Sequence, residues 1–153
     1  MRSLAPEHPV LTYVGSFVGG NKAKHRRPML SLAKTYDFDD LLSWQKSHTL
    51  LATYKIDGNS VSLLYNEGSL IEAKTRGDGI WGEVVTDKLR WVPSCPQKID
   101  KKGLWEVRGE LFCRDGQFAA LVAQMTKLGL DKPSNPRNVV AGILGRKQHG
   151  DLA

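Results

Sequence analysis

The segment from residue 104 to residue 113 alternates apolar and charged side chains, and this alternation restricts the possible folds more than any other feature. Successive side chains of a β-strand point to opposite faces. One face of this strand would carry Trp105, Val107 and Leu111, and the other Glu106, Arg108 and Glu110. The pattern predicts a sheet with one face against the protein core and one polar face.

Other segments have the composition of strands. Residues 50–58 and 61–65 are predicted to be extended, and a turn at residues 66–68 leads into another strand over residues 69–75. The strands on either side of this turn are predicted to form a hairpin.

Helices are predicted beside these strands. A short helix follows Asp37, with acidic side chains in its first turn, and we expect it to cover one edge of the core. Apolar residues recur at helical spacing from 115 to 130, which predicts a helix packed on the sheet, and a last short helix is predicted over 139–144. Because strands and helices do not alternate regularly, the fold class is predicted as α+β, with antiparallel sheets and flanking helices.

The length and composition fit one folded domain. The chain has 153 residues, 41% of them hydrophobic, which suffices for a core of its own. Residues 1–27 are interpreted as an extended basic lead-in, and residues 28–153 as the domain itself.

The two cysteines, Cys95 and Cys113, lack paired spacing, and neither a signal peptide nor a membrane span is recognisable. We therefore expect a cytoplasmic protein with reduced thiols and no membrane partner.

The charge balance favours polyanionic partners. Lysine and arginine number 22 against 16 for aspartate and glutamate, which gives a net charge of +6. Nucleic acids and nucleotides are the first candidates. A basic surface that serves solubility alone has the same composition, so charge does not separate the two.

Lys55-Ile56-Asp57-Gly58 is the sharpest local motif. In an extended chain Lys55 and Asp57 project to the same face, so that an amine and a carboxylate meet in one pocket. A lysine attacks phosphorus only as the neutral amine, which a neighbouring carboxylate disfavours. Asp57 is therefore expected to orient a ribose hydroxyl or a metal-bound water, with basic residues or Mg²⁺ opposing its field. A surface Lys–Asp pair before a turn glycine is the alternative.

Two further motifs follow along the chain. Arg76-Gly77-Asp78-Gly79 offers a sharp turn and a planar guanidinium that suits phosphate or a nucleobase, although a plain turn would look the same. The charged face of residues 106–110 suits the wall of a cleft, and a solvated sheet face is again the alternative. Gly109, inside that strand, hints at the close approach of a ligand or another backbone.

A fourth motif, Asn135-Pro136-Arg137-Asn138, lies near the end of the chain and is followed by Arg146. Both arginines could contact phosphate. Basic residues also stabilise the end of a helix, so the motif is weak by itself.

In order and rough spacing the motifs together resemble the nucleotidyltransferase core of NAD-dependent DNA ligases, members of the covalent nucleotidyltransferase superfamily. The Lys-x-Asp-Gly signature is shared by the superfamily. The segments that resemble the NAD-dependent branch are Pro28-Met29-Leu30-Ser31-Leu32, Thr75-Arg76-Gly77-Asp78-Gly79, Glu106-Val107-Arg108-Gly109-Glu110 and Asn135-Pro136-Arg137-Asn138. The resemblance covers residues 28–146.

This resemblance implies a reaction and a fold. Lys55 would attack the α-phosphate of NAD, or of ATP as the alternative donor, and the resulting lysyl-AMP would be passed to the 5′-phosphate of nicked DNA. Asp57 would assist at the ribose or at a metal, for which Mg²⁺ is expected although the sequence locates no metal site. The implied fold is a partial ATP-grasp-like nucleotidyltransferase domain of the DNA ligase type.

The resemblance also implies binding roles. Ser31 and Leu32 would line the adenine pocket, Arg76 would hold the nucleotide and Glu110 would contact the ribose. The expected contacts to nucleic acid or phosphate are Arg108, Arg137 and Arg146.

The chain departs from the family pattern in several places. Thr53 stands where the family usually has a glutamate that recognises adenine, and Arg146 comes one position late after Asn138. Later family motifs with further lysines are missing. We therefore expect a partial domain that seals nicked DNA weakly or not at all when alone, and that depends on a further chain or segment for the missing motifs.

Alternative functions remain open at this point. The chain could be a non-catalytic module that binds nucleotides or nucleic acid. It could belong to an RNA ligase or an ATP-dependent relative, or it could complete the sheet of another chain.

Overall fold

The structure, a computed structural model, describes residues 21–145. In chain order its elements are β1 (Lys22–Lys24), α1 (Phe38–Gln45), β2 (Asn59–Asn66), β3 (Ser69–Thr75), β4 (Trp81–Glu83), α2 (Thr86–Leu89), β5 (Leu104–Leu111), α3 (Asp115–Lys127) and α4 (Pro136–Gly145). The main sheet has the order β3-β2-β5, and β1 pairs with β4 in a second, two-stranded sheet. All these pairings are antiparallel, which confirms the predicted α+β class.

The hairpin between β2 and β3 confirms its prediction and shows why the turn lies where it does. Asn66 pairs with Ser69, so the loop consists of Glu67 and Gly68. Both residues have positive φ, 48° and 79°, as in the type I′ turns that match the twist of two-residue hairpins. A Cβ at residue 68 would also lie 2.6 Å from the carbonyl oxygen of Ile99, so glycine is required there.

The core lies on the apolar face of β2 and β3. Its buried members are Val61, Leu63, Tyr65, Ala73, Val85, Leu89, Cys95 and Leu144. Burying each large apolar side chain contributes about 1.5–3 kcal/mol to folding. The Tyr65 hydroxyl donates to the carbonyl oxygen of Pro96 at 2.7 Å, which satisfies the polar atom that this core contains.

The apolar face of β5 departs from the prediction. Trp105 and Val107 are 45% and 42% exposed, whereas Leu111 packs against the core. β5 is an outer strand, and the residues that cover the sheet gather over β2 and β3 instead. The prediction that this whole face of β5 is core was therefore wrong.

The chain before β2 was also predicted wrongly. Residues 50–57 belong to no strand, because within the described range their amides donate no hydrogen bond to a neighbouring strand. The Asp37 carboxylate caps α1 by accepting from the Asp39 amide at 2.7 Å, as its acidic start suggested. However, α1 has no buried residue, so it does not cover an edge of the core.

The two C-terminal helices confirm their predicted positions but not their predicted packing. α3 contacts α4, and α4 contacts β2. Leu144 of α4 belongs to the core cluster, whereas α3 contributes no residue to it. The sheet is therefore covered by α4, and the predicted packing of α3 on it was wrong.

Within residues 21–145 no helix has the length and apolar character needed to span a bilayer.

Candidate active site

The Lys-x-Asp-Gly motif lines a cleft at one end of the main sheet. The cleft has a volume of about 510 Å³, and its lining residues are Lys55, Ile56, Asp57, Phe112, Cys113, Arg114, Asp115, Asn135, Pro136 and Arg137. They come from the segment before β2, the segment after β5 and the start of α4. Motifs that are distant in the sequence thus meet at one site.

Gly58 explains how the motif enters the sheet. A Cβ at this position would lie 2.1 Å from the carbonyl oxygen of Leu111, closer than any side chain can come. The chain after Asp57 therefore passes directly against the end of β5. Glycine at position 58 permits this close approach of the two backbones, directly after Lys55 and Asp57, which line the cleft.

Asp57 forms an ion pair with Arg137. Nη1 of Arg137 lies 3.3 Å from Oδ1 of Asp57, and the side chains are 54% and 71% exposed. An exposed pair of this kind contributes about 0–1 kcal/mol to stability. Its electrostatic effect is local, because the guanidinium opposes the field of the carboxylate beside Lys55. The basic counter-charge expected from the sequence is thus Arg137.

Arg137 is held in place from two sides. The Asn59 side-chain amide donates to the Arg137 carbonyl oxygen at 3.2 Å, which ties α4 to the first residue of β2. The Asn135 side chain accepts from the Asn138 amide at 2.8 Å and caps the helix, while Pro136 occupies its first position. Asn135 and Pro136 therefore act through the helix start that carries Arg137.

Ser60 of β2 is bonded on one side to Glu110 of β5 and on the other to Arg76, which directly follows β3, so that the three residues form one row. Ser60 pairs with Glu110 across β2 and β5, and its hydroxyl donates to the Glu110 carboxylate at 2.8 Å. On the other side, the Arg76 amide donates to the Ser60 carbonyl oxygen at 3.0 Å. The row lies two residues beyond Gly58, at the same end of the sheet as the cleft.

The turn Arg76–Gly79, named here the Arg76 turn, is closed by its own aspartate. Oδ1 of Asp78 accepts from the amides of Ile80 and Trp81 at 2.8 Å and 2.7 Å. These hydrogen bonds, first that of Trp81 and then that of Ile80, hold the pKa of the Asp78 carboxyl below its usual value. Asp78 therefore shapes the turn, and Arg76 at its start is half-buried.

The segment of residues 24–28 lies across the polar face of the sheet. Nζ of Lys74 donates to the Lys24 carbonyl oxygen at 3.0 Å. The Arg108 guanidinium donates to the carbonyl oxygens of Pro28 and Arg27 at 3.0 Å and 2.7 Å. The described part of the predicted lead-in is thus packed on the sheet. Within the protein Arg108 binds this segment, and its contact with phosphate stays a prediction.

Glu106 completes the polar face. Its carboxylate accepts from the Ser62 hydroxyl at 2.9 Å and from Nε of Arg108 at 3.1 Å. Burial acts to raise the pKa of Glu106, but these hydrogen bonds and the charges of Arg108 and His25 outweigh it and hold the pKa below its usual value. The carboxylate therefore orients Arg108 toward residues 27 and 28.

Ser31 and Leu32 follow the point where the segment reaches the Arg76 turn. The Met29 amide donates to the Gly79 carbonyl oxygen at 2.8 Å, and the Met29 side chain is buried. Ser31 and Leu32 themselves are exposed, as is Thr53, so the structure does not enclose them in a base pocket. Arg146 lies outside the described residues.

No group of three or more metal-ligating side chains gathers within residues 21–145. Mg²⁺ in phosphoryl-transfer sites is usually held by one or two carboxylates and the phosphates of the substrate. Asp57 and Asp115 are the carboxylates of the cleft. These two carboxylates suffice for a Mg²⁺ site of that kind, in which the substrate supplies further ligands. They are too few to bind the ion with protein groups alone.

The sequence profile of the NAD-dependent DNA ligase adenylation domain matches residues 19–151. This range contains the cleft, the Arg76 turn and the polar sheet face. The chain belongs to the NAD-dependent DNA ligase adenylation domain family.

Individual relatives agree with this assignment. A DNA ligase of Campylobacter concisus is 41% identical over 131 residues, covering 82% of this chain and 20% of the relative. For a DNA ligase of Mycoplasma mycoides the values are 42% over 132 residues, 80% and 20%. A DNA ligase of Mycoplasma capricolum is 36% identical over 159 residues, covering 94% of this chain and 24% of the relative. The chain thus spans about a fifth of the length of these relatives.

Sequence reasoning missed several residues of this adenylation domain. Ser60 and Ser62 hold the carboxylates of Glu110 and Glu106, and their alternation in β2 with buried apolar residues was the available signal. Asn59, which anchors Arg137, had no such signal. The close approach of another backbone, one of the two alternatives for Gly109, is not found, because a Cβ there would meet no described atom within 4 Å; the approach of a ligand stays a prediction.

Proposed function

We propose that this chain carries out the nucleotide-charging step of an NAD-dependent DNA ligase, in which Lys55 becomes covalently attached to AMP. The observation that carries the proposal is the cleft in which Lys55 lies beside the Asp57–Arg137 pair. Membership of the adenylation domain family supports NAD as the donor. The exposed position of Lys55 leaves its amine accessible to a nucleotide from solvent.

The proposed step is a phosphoryl-group transfer. The neutral amine of Lys55 attacks the α-phosphorus of the adenylate half of NAD. A nitrogen–phosphorus bond forms, the bond from phosphorus to the bridging oxygen of the pyrophosphate breaks, and nicotinamide mononucleotide leaves with the electron pair. The attacking amine gives up its proton to solvent. Such transfers depend mainly on positioning and on neutralising charge at the phosphates.

The cationic groups of the site suit that requirement. Arg114 and Arg137 line the cleft, and Arg76 stands at the end of the adjoining row of residues. We infer that Arg76 binds a phosphate of the nucleotide, and that Arg137 both offsets the charge of Asp57 and faces the phosphates. Removal of one such preorganised group from a phosphoryl-transfer site typically slows the step about 100-fold or more.

The sugar and base contacts belong to the other residues of the site. Glu110, fixed by Ser60, is proposed to accept a hydrogen bond from a ribose hydroxyl. Asp57 is proposed to assist at the ribose or to contribute a ligand to Mg²⁺, which supplies charge neutralisation at the phosphates when it is bound. Ser31 and Leu32 are proposed to contact adenine, with Thr53 in the position that distinguishes this chain from its family.

The complete reaction extends beyond this chain's described residues. We propose nicked DNA as the acceptor of the AMP group, in line with the names of the relatives and with the net charge of +6. A further segment or chain is proposed to supply the remaining cations for sealing. The ATP-grasp-like arrangement of the domain is part of the same proposal, and the antiparallel α+β architecture is compatible with it.

Measurement of the intact-protein mass tests the charging step. The chain is incubated with Mg²⁺ and either NAD or ATP, beside Lys55→Ala and the matched control Lys127→Ala, an exposed lysine of α3. We expect a mass increase of one AMP with NAD, absent in Lys55→Ala and kept in Lys127→Ala. An adduct with ATP alone would contradict the choice of donor. No adduct with either donor in the folded chain would contradict charging by this chain and favour a nucleotide-binding module.

A further inference from the structure

His25, which the candidate site has so far not used, lies directly behind the Arg76 turn. It follows β1, and only 5% of the residue is exposed. Its Nε2 atom lies 3.1 Å from the Thr75 carbonyl oxygen and 3.2 Å from the Arg76 carbonyl oxygen. The imidazole ring therefore contacts the backbone of the turn on the side away from solvent.

The two contacts determine which ring nitrogen carries the proton. Carbonyl oxygens only accept hydrogen bonds, so Nε2 of His25 must be the donor to both. Nδ1 is buried and has no hydrogen-bond partner among the described residues. Nε2–H of His25 is thus shared between the two carbonyl oxygens.

The His25 ring fits a space that the opposite strand leaves open. Gly82 of β4 pairs with Ala23 of β1, beside the histidine. A Cβ at residue 82 would lie 2.8 Å from Nε2 of His25 and 2.0 Å from the Thr75 carbonyl oxygen. The absence of a side chain at Gly82 therefore allows the imidazole to reach the turn.

The backbone of Arg76 is consequently held at both ends. Its amide donates to the Ser60 carbonyl oxygen at 3.0 Å, and its own carbonyl oxygen accepts from the Gly79 amide at 2.9 Å. His25 adds the contact from the protein interior. Among the described residues the Arg76 side chain makes no hydrogen bond, so the position of its guanidinium depends on the backbone that carries it.

We propose that His25 is a positioning residue: it donates to the carbonyl oxygens of Thr75 and Arg76 and thereby presets the Arg76 guanidinium for a phosphate of the nucleotide. This inference rests on the proposed function, because Arg76 must bind nucleotide for its position to matter. A preset side chain loses less conformational freedom on binding, which increases affinity without any new contact.

A double-mutant cycle on AMP binding tests this coupling. Calorimetric titration with AMP is performed on the 153-residue chain, on His25→Leu, on Arg76→Met and on the double variant. Loss of the donor is expected to weaken AMP binding by about fivefold when Arg76 is present. With methionine at position 76, His25→Leu is expected to change AMP affinity less than about twofold, since coupled residues are not additive.

Two further variants separate positioning from general structure. His25→Gln keeps an N–H donor near the position of Nε2 and is expected to retain AMP affinity within about twofold of the wild type. The matched control His48→Leu replaces an exposed histidine whose ring forms a hydrogen bond only with Gln45 among described residues, and no effect is expected. An equal loss with and without Arg76, or a loss in His25→Gln as large as in His25→Leu, would overturn the inference.

The ring tautomer provides a measurement on the unmodified chain, which matters if His25→Leu does not fold. Nitrogen-15 chemical shifts of the imidazole are expected to show a protonated Nε2. An Nε2 atom without a proton would overturn this inference alone, even where AMP binds normally. A protonated Nε2 without AMP affinity would instead overturn the proposed function, and with it the role of Arg76.

Discussion

The Arg76 turn and the Lys55 segment (residues 50–57) meet at the same end of the main sheet but are held very differently. The turn is bonded to Ser60, to Met29 and within itself, so that its backbone is fixed on several sides. The Lys55 segment belongs to no helix or strand, and every residue in it is exposed. Its amides donate no hydrogen bond to another residue within 21–145.

In the proposed function this difference separates two tasks of one site. The conformational cost of ordering the Arg76 turn is met when the protein folds, so we expect the turn to bind a phosphate with little further ordering. We expect the Lys55 segment to gain order only when a ligand or another part of the protein contacts it, which would give the attacking amine freedom of approach. Phosphate binding would then be preorganised in this domain, whereas the attack by Lys55 would not be.

The largest expected effect concerns Lys55 itself. Lys55→Arg keeps the positive charge but removes the nucleophilic amine, so formation of the AMP adduct is expected to disappear entirely. Because Lys55 is exposed and outside the core, the free energy of unfolding should change by less than about 0.5 kcal/mol. Intact-protein mass and urea unfolding check the two statements. An adduct that persists in Lys55→Arg would place the nucleophile elsewhere.

The next prediction concerns the packing beside the Arg76 turn. Gly82→Ala introduces a Cβ 2.0 Å from the Thr75 carbonyl oxygen and 2.8 Å from the His25 ring, and it is expected to destabilise the protein by about 3 kcal/mol.

Gly109→Ala is the matched control, because a Cβ there meets no described atom within 4 Å. Its expected effect is below about 1 kcal/mol and can be favourable. Urea unfolding of both variants measures the difference. Equal effects of the two substitutions would show that the turn is not tightly packed against β1.

Arg137→Met sharpens the comparison by affecting chemistry without stability. The Asp57–Arg137 pair is largely exposed, so its loss should cost less than about 1 kcal/mol of unfolding free energy. Asp57 is then left unopposed beside Lys55, and AMP-adduct formation is expected to slow by about 100-fold or more. Arg90→Met, which removes the exposed pair with Asp87, should leave the rate unchanged. A slow Arg90→Met variant would indicate a nonspecific effect of surface charge.

The smallest expected effect is a pH dependence of the free energy of unfolding, caused by Glu106. The folded-state pKa of Glu106 lies below its usual value of 4.5, so its ionised form stabilises the fold above that pH, and this stabilisation is lost as the pH falls through the lowered pKa. Glu106→Gln should therefore cost about 1 kcal/mol near pH 7 and progressively less in acid. Urea unfolding at a series of pH values measures this difference. A cost that grows toward low pH would contradict the sign of the shift.

The sequence predicted the parts of the fold that depend on local patterns. The β2–β3 hairpin follows from a turn between two apolar runs, and α4 follows from Asn135 and Pro136 at its start. The Lys-x-Asp-Gly and Asn-Pro-Arg motifs were both recognised in the sequence, and the structure shows that they line the same cleft. Local periodicity and capping chemistry suffice for such features.

The remaining errors concern long-range packing. An apolar run over residues 50–58 looks like a strand, but a strand requires a neighbour to pair with, which sequence alone does not supply. The apolar face of β5 could not be assigned to core or surface without the strand order. The roles of Arg108 and His25 depend on residues 24–28 crossing the sheet, a contact with no local signature.

Amide hydrogen exchange with and without AMP tests most directly whether the fixed turn and the open segment form one nucleotide site. Without AMP, the amides of Arg76 and Gly79 should be protected and those of residues 53–57 should exchange freely. Addition of AMP should increase protection in both segments. Equal protection of the two segments before AMP is added would contradict the account. So would a failure of AMP to increase the protection of both segments.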